Sequence, residues 1–240
     1  MKILILGYGK MGKTIEQIAL HRKHSVPHKI DVSNKEELST LDNKAVDVAI
    51  EFSQPESAYN NIRYCLEHGI PVVSGTTGWL DKKKEIEEIC KKNNGAFFYA
   101  SNYSVGVNLF FHFNKMLAKI MNDYPQYEVT MEEIHHTQKK DAPSGTAITL
   151  AEGVLANFKS KNKWVNQPSS AKNELSIVSK RIDPYPGEHT ITYHSNVDTI
   201  KIQHTAHSRE GFAEGAVIAA EWLYGKKGVF GMDDMLKITI

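Results

Sequence analysis

The start of the chain limits its fold more than any other stretch: the apolar run "KILIL" passes directly into Gly7-x-Gly9-x-x-Gly12, which opens into the amphipathic pattern "KMGKTIEQIAL". A short run of isoleucine and leucine marks a strand buried on both faces, as parallel sheets require. Strand, glycine turn and helix in that order predict the first βα unit of a dinucleotide-binding sheet. The first glycine permits the tight turn, the second lets backbone approach a pyrophosphate, and the third lets helix and strand pack closely. The helix N-terminus then offers N–H groups and the positive end of its dipole to the phosphates. Asp31 falls 19 residues beyond Gly12, near the end of the expected second strand, where a carboxylate accepts hydrogen bonds from a ribose 2′-hydroxyl. The same side chain is placed to cap the turn "DVSNKEEL", and the two roles are compatible.

Further apolar runs, "VDVAI" at 46–50, "IPVVS" at 70–74 and "AFFYA" at 96–100, alternate with helical patterns at 57–68 and 82–93. Ser53 and Pro55 mark the start of the first helix and Gly69 its end, while Asp81 is expected to cap the second and Gly95 to stop it. This alternation predicts a parallel sheet. "SGTTGW" at 74–79 and "ASNYS" at 100–104 then fall at carboxyl ends of strands, the edge where open α/β sheets bind ligands. Beyond residue 105 the texture changes to a helix near 106–122, a strand "EVTMEEIHH", a helix from about 145 and two alternating segments, "HTITYHS" and "TIKIQHTAH". Joined through Asn196–Asp198, those segments predict an antiparallel hairpin and hence a mixed sheet. "FAEGAVIAAEWLYG" returns to a helix that can pack on the first domain, and the polar, aperiodic 159–175 reads as a surface loop. The expected fold class is α/β: a Rossmann-like domain from 1–105 plus 210–240, and a second, α+β mixed-sheet domain over 106–209.

Charge narrows the partners. Lys plus Arg number 29 against 28 for Asp plus Glu, so no overall field draws the chain to nucleic acid or an anionic membrane, and any anion must be caught by a local site. Cys65 and Cys90 lie far apart with no Cys-x-x-Cys spacing, which suits a reducing compartment and not a structural zinc. With no run near the ~18 apolar residues of a membrane span, the cytoplasm is the expected location.

The stretch "EEIHHTQKKDAPSGTA", 132–147, gathers titratable and cationic groups at a helix start. His135 and His136, being adjacent on a strand, point to opposite faces and serve one metal ion poorly. Pro143 suits the first turn of a helix, and Ser144, Gly145 and Thr146 present N–H groups and hydroxyls to an anion. With Lys139 and Lys140 beside it, this cradle suits a carboxylate, and an imidazole, with its usual pKa of ~6.5, can pass a proton near neutrality.

The segment "HHTQKKDAPSGTA" resembles the signature of the 4-hydroxy-tetrahydrodipicolinate reductases of bacterial lysine and diaminopimelate synthesis, formerly called dihydrodipicolinate reductases. The resemblance extends to the glycine turn, "EFSQPES" at 51–57, "GTTG" at 75–78, "SNYSVGVN" at 101–108, "GEHT" at 187–190 and "QHTAHSREGFAEGA" at 203–216. It implies His135 as catalytic proton donor and acceptor, Lys139 as a second proton donor, and His136, Gly145 and Thr146 as substrate-binding residues together with Ser144. It places the nicotinamide cofactor, NADH or NADPH, on Gly7, Tyr8, Gly9, Lys10, Met11 and Gly12, on Asp31, on Gly75, Thr76 and Thr77, and on Ala100, Ser101, Asn102 and Tyr103. It further implies a small dicarboxylate substrate and a homotetramer joined through the second domains. Two departures stand out: 159–180 is short, and "RIDPYPGEH" lacks the glycine-rich stretch often found before Gly187. Asp31 followed by Val32 favours NADH modestly, while Lys10 and Lys13 are candidates to reach the 2′-phosphate of NADPH.

Overall fold

The computed structural model describes residues 1–208 and 210–237, which form two compact units, one from 1–105 with 210–237 and the other from 106–208. The expected domain ends at 209 and 238–240 lie outside the described residues.

The first unit opens with β1 (Lys2–Leu6), α1 (Lys10–His21), β2 (Ser25–Ile30), β3 (Val48–Glu51), α2 (Pro55–Glu67), β4 (Val72–Ser74), α3 (Lys83–Lys92) and β5 (Ala96–Tyr99). The second contains α4 (Val105–Met121), β6 (Glu128–His135), α5 (Gly145–Leu155), β7 (Lys163–Val165), β8 (Glu174–Arg181), β9 (Gly187–His194) and β10 (Thr199–Ala206). The chain then returns to the first unit as α6 (Glu210–Leu223), β11 (Gly228–Phe230) and α7 (Met232–Leu236).

The first sheet has strand order β11-β5-β4-β3-β1-β2, with every pairing parallel. Period-2 alternation divides "KILIL" between two cores. Ile3 and Ile5 face a layer containing Ile15 and Ala19 of α1 and Ala216 and Val217 of α6, whereas Leu4 and Leu6 face Ile62 of α2 and Ile86 of α3. The glycine turn follows from this packing. Gly7 has φ +93°, and a Cβ on it would overlap the Phe52 carbonyl, while a Cβ on Gly12 would overlap the carbonyl of Gly7. α3 departs from expectation, because Asp81 lies inside a 3-10 turn and Lys82 takes the N-cap position.

The second sheet runs β10-β9-β6-β8-β7, with β6 antiparallel to β9 and parallel to β8. Its inner face carries Val129, Met131, Ile177, Ile191 and Tyr193 against Leu150 and Val154 of α5 and Ala118 of α4. The polar 159–175 is not wholly a loop: Lys163–Val165 pairs in parallel with Glu174–Ser176 as an edge strand too short to show a period. The outer face carries Thr130, Glu132, Thr190, Thr192 and Lys201 beside Val178.

Candidate active site

In the first unit a cleft of about 380 Å³ lies at the carboxyl ends of the strands, lined by Gly7, Gly9, Asp31, Lys35, Ser53 and Gln54 among others. Gly9 is the N-cap of α1 with no side-chain cap, and a Cβ on it would meet nothing within 4 Å. The first-turn N–H groups of α1 therefore face open space, as a pyrophosphate needs. Asp31 follows β2, where its carboxylate caps its own turn by accepting from Val32 N–H at 2.9 Å, and the residue lines the cleft. The residues present thus fit a dinucleotide.

Not every expected cofactor residue reaches this opening with its side chain. Tyr8 donates its hydroxyl to Glu16, Met11 packs against the core, and Gly12 is buried. Tyr103 is buried and donates to the Ser74 carbonyl at 2.7 Å, so its ring supports the loop ends from beneath. Thr76 is buried too, while Thr77 and Ser101 are exposed, with Gly75 and Asn102 half-buried. Neither Lys10 nor Lys13 lines the cleft, and Lys13 lies over the Tyr8 ring, 6.0 Å from its centre. The cation that does line it is Lys35.

Beneath the cleft sits a residue that the sequence reading passed over. Glu51, at the end of β3, is fully buried and accepts from Ser53 N–H (3.0 Å) and from the hydroxyls of Ser53 (2.5 Å), Ser74 (2.6 Å) and Thr76 (2.9 Å). It thereby ties the loop after β3 to the loop after β4. Burial pushes this carboxyl above its ordinary range, and the four donors only partly oppose the rise.

In the second unit, β6 delivers Glu133 and His135 on one face, two residues apart. His135 is buried, and its Nδ1 lies 3.3 Å from Oε2 of Glu133. His189 of β9 stands edge to face with it, ring centres 5.1 Å apart. Burial pushes the His189 imidazole toward its neutral form. His136 falls just past the strand and is half-buried, off the face that carries His135.

The loop after β6 is fastened by Arg181, which donates from Nε to the Lys139 carbonyl (3.3 Å) and from Nη2 to the Asp141 carbonyl (2.6 Å) and to Glu133 Oε1 (3.2 Å). Lys139 Nζ lies 2.8 Å from both carboxylate oxygens of Asp141, and that ammonium holds the Asp141 carboxyl below its usual range. Pro143 precedes α5 instead of forming its first turn, and Ser144 is the N-cap. The Ser144 hydroxyl accepts from Ala147 N–H at 3.2 Å and lies 3.1 Å from His189 Nε2, while its N–H donates to Glu133. Ser144 is thus engaged within the protein through both its hydroxyl and its N–H. Gly145, exposed, and Thr146, half-buried, carry the first-turn N–H groups that no intrahelical carbonyl satisfies. Glu133, His135 and His189 bring ligand atoms within 4.8 Å of one another, and the Glu133 carboxylate among them already accepts from Ser144 N–H and the Arg181 guanidinium.

The comparisons with known proteins agree along the whole chain. Residues 1–103 match the family described as "Dihydrodipicolinate reductase, N-terminus" and 106–236 the one described as "Dihydrodipicolinate reductase, C-terminus". A 4-hydroxy-tetrahydrodipicolinate reductase of Christiangramia forsetii is 51% identical over 236 residues, 98% of each chain. One from Methanosarcina mazei is 36% identical over 86% of this chain and 80% of its own. Among solved structures, a dipicolinate-bound dihydrodipicolinate reductase of Paenisporosarcina sp. TG-14 superposes with a TM-score of 0.78 at 20% identity, covering 98% of this chain and 99% of its own, a likeness of fold.

Proposed function

The chain belongs to the dihydrodipicolinate reductase family, and from that premise we propose how its own residues carry out the NAD(P)H-dependent reduction of 4-hydroxy-tetrahydrodipicolinate in lysine and diaminopimelate biosynthesis. When bound, NADH or NADPH supplies the hydride. The glycine turn and the open first turn of α1 hold its pyrophosphate, Asp31 takes the ribose hydroxyls, and the loops at 75–77 and 100–103 complete the cofactor site. The first-turn N–H groups of Gly145 and Thr146 bind a carboxylate of the substrate, aided by the dipole of α5. His136 joins that binding from the strand end, and Lys139 exchanges its pairing with Asp141 for the incoming anion. Once the 4-hydroxyl has left as water, hydride addition to the resulting conjugated cyclic imine leaves an enamine, and His135 gives the proton that the neighbouring ring carbon takes up, with Lys139 as second donor.

The observation that carries this reading is the convergence of a buried, carboxylate-backed His135, a pinned Lys139 and the first-turn N–H groups of Gly145 and Thr146 within a single strand-loop-helix segment. The test is a coupled assay in which the preceding synthase generates substrate and NAD(P)H oxidation is followed optically. Cofactor oxidation that does not depend on the synthase product overturns the substrate assignment.

We infer a homotetramer joined through the second units, and a cytoplasmic location. Supporting the first are the eight-residue edge strand β10 and the sheet face that α4 and α5 leave uncovered. A monomeric mass in light scattering at micromolar concentration would sink it. Supporting the second, Cys65 and Cys90 are free and buried, and no helix among the described residues is long and apolar enough to cross a membrane.

A further inference from the structure

The ring of His135 is framed on both edges. On the Nδ1 side stands Glu133, which is fully buried and whose carboxylate also receives Ser144 N–H (3.1 and 3.2 Å to its two oxygens) and Arg181 Nη2 (3.2 Å). On the opposite edge is Gly187, where an added Cβ would stand 3.1 Å from Nε2, tighter than side-chain carbons normally pack. One edge of the imidazole is therefore backed by an anion and the other is kept clear by a missing side chain. We propose that Glu133 is the positioning residue of the reaction, the buried carboxylate that turns His135 so that Nδ1–H faces the sheet and Nε2 carries the proton to the substrate. The proposal rests on the assignment of His135 as proton donor and says which nitrogen acts and what sets it.

Burial raises the Glu133 carboxyl, but its interactions with His135, His189 and Ser144 more than offset this and hold it well below the usual carboxylate range. An ionised carboxylate behind an imidazole stabilises the imidazolium and fixes the tautomer left after transfer. The proton leaves Nε2 for the electron pair of the enamine carbon, the ring is left neutral with Nδ1–H toward Glu133, and solvent restores the proton. The 3.3 Å pair lies within ion-pair distance but off the line of a hydrogen bond, a looseness common in catalytic contacts before ligand binds. The other charged or titratable groups around the ring are His189 from β9, Arg181 from β8, and the mutually paired Lys139 and Asp141 from the loop after β6.

Nitrogen-15 NMR of histidine-labelled full-length enzyme, with His135 assigned through His135→Gln, reads the tautomer directly at alkaline pH. The Nδ1–H tautomer is expected, and the Nε2–H tautomer overturns the proposal even if Glu133 variants fail to fold. In the coupled assay, Glu133→Gln should lower kcat roughly 10–100-fold, as loss of an orienting partner does, with KM for the cofactor unchanged. The alkaline limb of its kcat/KM profile should move to lower pH, because the imidazolium has lost its adjacent anion, and Glu133→Asp should recover part of the rate. A folded Glu133→Gln with wild-type kcat and pH profile overturns the proposal as well. Wild-type turnover in His135→Gln instead removes the assignment beneath it, and the tautomer measurement separates the two failures.

Discussion

Glu51 and Glu133 are the same residue at the same exposure, both fully buried near the carboxyl end of a strand, yet their environments drive them in opposite directions. Glu51 is met by three hydroxyls and one backbone N–H, none of them charged, and burial keeps its carboxyl raised. Glu133 is met by a guanidinium, two imidazoles and a backbone N–H, and is held ionised. Hydroxyl donors leave the buried Glu51 carboxyl raised, whereas imidazole and backbone donors beside a guanidinium keep Glu133 ionised. The difference suits the two proposed tasks: beneath the cleft of the first unit a carboxyl whose ionisation burial opposes ties two loops together, while beside His135 an ionised carboxylate favours the imidazolium.

The largest expected effect sharpens this division. His135→Gln and Lys139→Met should each lower kcat by roughly 10²–10⁴-fold with folding intact, the usual contribution of a general acid. Glu51→Gln should leave kcat within a few-fold, because one amide oxygen can keep the Ser53 N–H while the amide nitrogen faces the reversible Ser74 hydroxyl. Equal losses in both sets, measured in the coupled assay, would erase the distinction between scaffold and chemistry.

Stability should separate the glutamates next. Glu133→Gln leaves the Arg181 guanidinium facing a neutral partner, a change of roughly 3–5 kcal/mol for a fully buried pair and less here, because Arg181 retains 21% exposure. Glu51→Gln should cost under about 1.5 kcal/mol, the scale of one neutral hydrogen bond. Their pH dependences have opposite signs. The folded Glu133 carboxyl is depressed, so its stabilisation is present above the ordinary value of 4.5 and is lost as pH falls below it. The folded Glu51 carboxyl is raised, so its contribution is full below 4.5 and declines as pH rises through the folded value. Thermal melts across pH should therefore show Glu133→Gln flattening the acid-side loss of Tm and Glu51→Gln gaining on wild type toward alkaline pH. Parallel melting curves for both variants contradict the opposed environments.

The sequence made the candidate proton donor His135 legible but not the two buried carboxylates, Glu133 beside it and Glu51 in the first unit. Gly7, Gly9 and Gly12 are readable because each answers a local backbone demand, and His135 and Lys139 because a long contiguous signature carries them. Glu133 lies in the same stretch, with period-2 spacing to His135 as its only signal, and its significance depends on Arg181, which is 48 residues away and arrives through strand pairing. Glu51 likewise needs Ser74 and Thr76, brought by a neighbouring strand. Asp81 and Pro143 were misread for the opposite reason: local capping preferences are weak, and the surrounding turn moved each helix start past them. β7, at three residues, is too short to show a pattern at all.

The smallest effect tests the cofactor cleft at its rim. Two charged side chains line it, Asp31 and Lys35, and they oppose each other. In the proposed site Asp31 is the acceptor for the ribose hydroxyls of NADH and would repel a 2′-phosphate, and the next residue, Val32, is exposed and offers no guanidinium to compensate. Lys35 supplies a point charge on the same wall, while Lys10 and Lys13, the cations that the glycine turn suggested, do not line the cleft. A flexible ammonium compensates a carboxylate less well than a bidentate fork, so NADH should be preferred modestly and NADPH still accepted. Lys35→Ala should then lower kcat/KM for NADPH several-fold and leave that for NADH nearly unchanged, and Lys10→Ala should alter neither ratio. A wild-type preference for NADPH of about tenfold or more, equivalent to ~1.4 kcal/mol, would show that the lysine outweighs Asp31 and that the rim of the cofactor unit is set by cations after all.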